Sequence, residues 1–120
     1  MLHKVDEIRG ALLDAAVALA EGLDLGPDWD QDWKHGSGAL VRSASDHPYF
    51  DFAPSTNWAQ GGPIIERRRI DVCTEPAGGW RAASVRASGA VEWQRSTMPL
   101  VAAMRAYVAS TFGTIVELPD

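Results

Sequence analysis

A chain of 120 residues with 46% hydrophobic and 22% charged side chains has enough apolar material for one domain with its own core and too little length for two ordinary ones. The net charge of -5 and the lack of any apolar run near the roughly 20 residues of a bilayer span argue against a dedicated polyanion binder and against a membrane protein. The start, Met1 to Glu7, turns acidic and amphipathic at once, which predicts no secretory leader, and the single Cys73 excludes an intrachain disulfide and suits a reducing compartment.

In chain order, Val5, Ile8, Leu12, Ala15, Ala16, Leu19 and Leu23 recur at helical spacing, with stop signals at Gly22 and Gly26-Pro27, so a first helix is predicted over 4–22. Residues 24–47 are rich in Gly, Ser and Asp and read as loop, with a short strand at Ala39 to Arg42. Tyr49-Phe50-Asp51-Phe52 alternates like a strand, Pro54 closes it, and Ser55 or Thr56 is placed to cap a second helix over about 56–68. Strands over 69–73 and 80–86 flank the turn-forming Thr74-Glu75-Pro76-Ala77-Gly78-Gly79 and should pair antiparallel. Leu100, Met104, Tyr107, Val108 and Thr111 share a face of a third helix over 98–112, with Thr97 near its cap, Pro99 in its first turn and Gly113 after its end.

The second helix contains Gly61-Gly62-Pro63, and proline inside a helix removes a backbone hydrogen bond at a cost of about 3 kcal/mol. Two solutions are open: a short turn at 56–60 before a second helical start, or one helix kinked at Gly62-Pro63. In both, the two glycines let another backbone approach while Trp58, Ile64 and Ile65 cover the sheet. Trp58, Ile65, Trp80, Met104 and Tyr107 are expected to share one core, and Trp58→Ala to cost about 3–5 kcal/mol.

Four blocks carry a family resemblance: Glu7 to Asp14 with Val17 to Gly22, "STNWAQGGPIIE" at 55–66, Gly79-Trp80-Arg81-Ala82, and "PLVAAMRAYV" at 99–108. In order and spacing across nearly the whole chain they resemble the NinX-like phage proteins of unknown function, and the pattern is also similar to small phage α-β-α sandwich domains. The resemblance implies a bacteriophage or prophage gene product acting in the host bacterial cytoplasm, and it implies no established reaction. Together with the pass along the chain it gives an α+β fold in which a small antiparallel sheet packs with three main helices, as one domain over 1–120.

Signals for chemistry are sparse. Asp28, Asp30 and Asp32 imitate the opening of a calcium loop, but Trp33 and Ala39 stand where that loop needs glycine and glutamate. His3, His35 and His47 lack metal-helix spacing, and His35-Gly36-Ser37-Gly38 lacks the nucleophile-elbow pattern. No phosphate loop or dinucleotide fingerprint is present. Neither catalysis, metal nor cofactor is therefore expected.

Charge and aromatics are more suggestive. Residues 1–60 hold four basic and ten acidic side chains, residues 61–120 seven and six. Arg67, Arg68 and Arg69, with Arg81 and Arg86 on the hairpin, can gather on one face, where Glu66, Asp71, Glu75 and Glu92 are available to neutralise them. Trp58 and Trp80 fit the core, whereas Trp29, Trp33 and Trp93 lie in polar loops where an exposed aromatic would mark an interface. The expected interaction surface is Trp29, Trp33, Arg67, Arg68, Arg81 and Arg86. Its expected partner is a host or phage protein, with self-association as a further mode. Nucleic acid bound through the arginine face is the alternative, less favoured because of the net acidity.

Overall fold

In the computed structural model of the chain, residues 1–26, 29, 38–84 and 92–119 are described. The expectations placed on Asp28, Asp30, Asp32, Trp33, His35, Ser37 and Arg86 lie outside these residues.

The chain opens with strand β1, Leu2–Lys4, rather than with helix; helix α1 begins later and spans Gly10–Ala20. Residues 5–8 form a turn in which Ile8 N–H donates to Lys4 O at 3.3 Å. Val5 and Ile8 are buried, as their helical spacing indicated, but 2–4 are drawn into strand by a partner at the far end of the chain. Strands β2, Asp24–Leu25, β3, Ala39–Arg42, and β4, Phe50–Phe52, follow. Helix α2, Trp58–Arg68, leads into β5, Asp71–Thr74, β6, Trp80–Ala83, and β7, Gln94–Ser96. Helix α3, Pro99–Phe112, with Pro99 in its first turn, and β8, Ile115–Glu117, end the described chain.

The strands divide among three small antiparallel sheets, ordered β1-β8, β2-β3-β4 and β5-β6-β7. With three helices this is the α+β fold expected from the sequence. Helix α3 is its centre: it touches α1, α2, all three strands of the β5-β6-β7 sheet, and β8. Nine of its residues are buried, among them Ala102, Ala103, Ala106 and Ala109. Small side chains let strands and helices approach the same helix from several sides, and burial all round is the mark of a central helix.

The Gly-Gly-Pro question resolves in favour of one continuous α2 with Pro63 inside it. Its cap is Asn57, whose side chain accepts from Ala59 N–H at 2.9 Å, rather than Ser55 or Thr56. Ser55 is instead buried and turned to α1. The two glycines differ in role. A Cβ on Gly61 would sit 2.4 Å from Pro54 O and 2.7 Å from a Leu100 methyl, whereas one on Gly62 would meet open space. Gly61 therefore sets how closely α2 packs against α3 and the preceding turn.

Of the five residues expected to share a core, Met104 and Tyr107 are buried and Ile65 and Trp80 pack against the core. Trp58 does not join them. It is the first residue of α2 and 56% exposed, so the stability loss expected for its removal does not apply.

Candidate functional site

The arginines form two unlike groups. At the end of α2, Arg67 pairs with Glu21 Oε1 through a very short contact, and Arg68 Nη2 lies 3.6 Å from Glu21 Oε2. Glu21, the residue that closes α1, also accepts a 2.7 Å hydrogen bond from the Tyr107 hydroxyl of α3. The Arg68 guanidinium stands 5.2 Å from the centre of the Tyr107 ring. One carboxylate thus ties together all three helices.

The electrostatics fit a closed network. Burial works to raise the Glu21 pKa, but the Tyr107 hydroxyl and the two arginines outweigh it and hold the carboxyl below its usual range. Burial, with the adjoining Glu21 carboxylate, pushes the Tyr107 hydroxyl up to about 12. Arg67 and Arg68 are thereby committed within the fold, through an acidic partner, Glu21, that the local charge pattern did not indicate.

Arg81 belongs elsewhere. In the β5-β6-β7 sheet it stands opposite Cys73 on one side and Arg95 on the other, while the next row pairs Val72, Ala82 and Gln94. Alternation puts these rows on opposite faces. Ala82 is fully buried and Val72 packs against the core, so the Arg81–Arg95 row faces outward. Like charges directly opposite would repel, and each finds an accommodation. The Arg81 guanidinium lies 4.6 Å from the centre of the Trp93 ring, a cation–π contact, while Arg95 Nε donates to Glu75 Oε1 at 2.7 Å. Trp93 keeps 37% of its surface in solvent and the Arg95 side chain 64%.

Two hollows meet on this face at Arg95. One, of about 750 Å³, runs over the turn from Glu75 to Gly79 and the strand end at Ser96 and Thr97. The other, of about 500 Å³, is lined by Trp93, Gln94, Arg95, Glu92, Asp6 and Thr114. Arg105 of α3 holds the backbone at Arg95, donating from Nε to Ile8 O and from Nη1 to Arg95 O, each at 2.9 Å. Burial lowers the Arg105 pKa from its ordinary value, against the opposing effect of nearby Asp6.

The structure therefore separates what the sequence grouped. Arg67 and Arg68 are joined on Glu21, and Arg81 is joined to Trp93 on the sheet. Trp29, expected as an exposed aromatic, is only 3% exposed and its indole N–H donates to Pro119 O at 3.3 Å. A residue in a polar stretch is covered here by the C-terminal segment, a contact 90 positions away. Sequence reasoning missed Arg95 as a surface residue, although Trp93 and Arg95, two apart, carried the alternation of an exposed strand face.

A second buried acid stands apart from these groups. Asp14 of α1 is fully buried, and its Oδ1 accepts from Ser55 N–H at 2.9 Å. Burial pushes its pKa up from 3.8 to about 6, against opposing hydrogen bonds from Ser55 and Gly38. Among the described residues no group of three or more His, Cys, Asp or Glu side chains is arranged to hold a metal, and no helix is long and apolar enough to cross a membrane.

A model of the family described as Bacteriophage P22, NinX, matches residues 4–111. No curated protein matches the chain. With nearly its whole length matched, the chain belongs to the NinX family and is a phage accessory protein.

Proposed function

We propose that this NinX-family protein is a noncatalytic binding protein of the host bacterial cytoplasm, and that it engages a host or phage protein through the outer face of the β5-β6-β7 sheet. The observation that carries the reading is the stacked Arg81–Trp93 pair beside solvent-exposed Arg95, where two hollows adjoin. Tryptophan and arginine are enriched where truncation costs binding energy, because an indole covers a large area with few lost rotamers and a guanidinium offers five directed donors. The lack of a nucleophile elbow, phosphate loop or metal-ligand spacing in the sequence supports a binding role over a catalytic one.

Nucleic acid is the second reading, favoured by the same pair, since a base can stack where a cation and an indole already lie face to face. Charge argues for protein first. Arg67 and Arg68 share the Glu21 carboxylate, Arg95 is paired with Glu75, and the chain is net acidic, so less positive charge is left to release phosphate counterions.

Affinity capture from phage-infected cells, run beside retention on single-stranded DNA across a salt series, tests both. The expected result is a retained protein that is lost on Trp93→Ala and Arg95→Glu with the melting temperature kept, and weak DNA retention. Tight DNA retention that falls steeply with salt and is lost on Arg81→Ala would reverse the order of the two readings.

A further inference from the structure

The ribbon of β1 and β8 has no third strand, so each of its strands is also an edge. Its ladder fixes what those edges offer. Met1 O accepts from Leu118 N–H and Val5 N–H donates to Thr114 O, so the bonds between the strands fall at Met1, His3 and Val5 and at Leu118, Val116 and Thr114. In an antiparallel ladder the residues between these point their N–H and C=O groups the other way. On β8 they are Ile115 and Glu117, and neither has a backbone hydrogen bond among the described residues. On β1 they are Leu2 and Lys4, but Lys4 O already accepts from the Glu7 and Ile8 N–H groups. The β8 edge is therefore the complete one. Ile115 is 50% exposed and the Glu117 side chain 68%, while Val116 between them is buried against the core.

We infer that this edge is a self-association surface, on which β8 of a second copy of the chain pairs antiparallel across a two-fold axis and makes a four-stranded sheet in the order β1-β8-β8-β1. New hydrogen bonds must join outward-facing residues, and one register uses all of them: Ile115 opposite the partner's Glu117, and the reverse, with Val116 opposite its own copy. Both N–H groups and both C=O groups of each β8 edge are then satisfied. The side chains agree with this register. On the inner face the two Val116 side chains stand together and extend the buried row. On the outer face the row reads Lys4, Ile115, the partner's Glu117, the partner's Leu2. Each Lys4 thus reaches over exposed Ile115, across two strand spacings or about 10 Å, to a carboxylate of the other copy. The occupant is a second copy because donors, acceptors, apolar and charged positions are all complemented by the same residues read in the opposite direction, the condition for a closed two-fold contact. Strand addition at an open edge is a general mode of association, and four backbone bonds make a short seam, hence a weak dimer. The inference does not rest on the reading of the β5-β6-β7 face.

The test is sedimentation equilibrium of the full chain from micromolar to millimolar concentration, beside amide hydrogen exchange of the nitrogen-15-labelled chain over the same series. The mass should rise toward that of two chains. The Ile115 and Glu117 amides should exchange more slowly as concentration rises, while Val116, already bonded to β1, is protected throughout and Leu2 and Lys4 do not change. Ile115→Glu sets two carboxylates opposite each other at both symmetric positions and should weaken the dimer by about tenfold. Adding Glu117→Lys to that variant puts opposite charges back across the axis and should restore it, which a merely damaged fold would not allow. Should Ile115→Glu fail to fold, the exchange pattern of the wild-type chain decides alone. A chain that stays monomeric throughout, or protection gained at Leu2 and Lys4 instead, overturns the pairing. So does a dimer that folded Ile115→Glu leaves intact, or one that the double substitution does not restore.

Discussion

Arginine serves two ends in this molecule, and the contrast between them separates structure from surface. On the helical side, Arg67 and Arg68 converge on Glu21, which the Tyr107 hydroxyl also holds. Both guanidinium groups and the phenol there meet on one carboxylate, and that carboxylate belongs to a third helix. On the sheet side, Arg81 meets an indole and Arg95 a single glutamate, and both groups stand beside hollows. A guanidinium has five donors, so a ring face and one carboxylate leave capacity that a partner can use. The closed group stabilises the fold, whereas the open group costs the fold little to alter and is where binding should be sensitive.

The largest expected effect lies outside both groups, at the buried Asp14 of α1, and is read by pH. The ordinary pKa of Asp14 is 3.8 and its folded value is about 6, so the folded chain holds this proton more tightly than the unfolded one. The resulting stability is fully present below about pH 3.8 and is lost as pH rises through about 6. At roughly 1.4 kcal/mol per pKa unit the contribution is about 3 kcal/mol. Urea denaturation of wild type and Asp14→Asn between pH 4 and 7.5 should show their stability difference changing by an amount of that order, concentrated between pH 4 and 6.5. A constant difference would mean that Asp14 is not buried as a titrating acid.

Next in size is Glu21→Ala, which removes the shared acceptor and leaves the buried Tyr107 hydroxyl without its partner. A loss of about 1–3 kcal/mol is expected in the same denaturation measurement. A loss indistinguishable from that of an exposed ion pair, under about 1 kcal/mol, would show that the helices do not depend on this carboxylate. The smallest effects belong to the open and exposed aromatics. Trp93→Ala forfeits one partly exposed cation–π contact, and Trp58→Ala a side chain that is mostly in water. Each should change stability by no more than about 1 kcal/mol, and a larger loss from Trp93→Ala would move that residue into the structural group.

Local pattern made much of the fold legible. Strand Ala39–Arg42, the hairpin of β5 and β6, and helix α3 with Pro99 at its start and Gly113 after its end all follow from spacing, turn residues and capping preferences that act within a few positions. The family, too, was legible from four short blocks and is matched over residues 4–111. The site was less so. Arg81 could be singled out, but its partner Trp93 lies on a separate stretch of the sequence, and Glu21 gave no sign that it would meet residues 46 and 86 positions away.

What the sequence determined by itself is therefore the three helices and the strands from β3 to β6, because apolar periods, glycines and prolines act locally and need no knowledge of neighbours. Tertiary structure decided which of several plausible contacts each side chain makes. It turned 2–4 into strand by pairing them with 115–117, covered Trp29 with the carbonyl of Pro119, and left Trp58 outside. Those outcomes depend on residues remote in the chain, because burial, pairing and charge neutralisation are set by proximity in space, and one residue's local pattern carries no record of what will be packed against it.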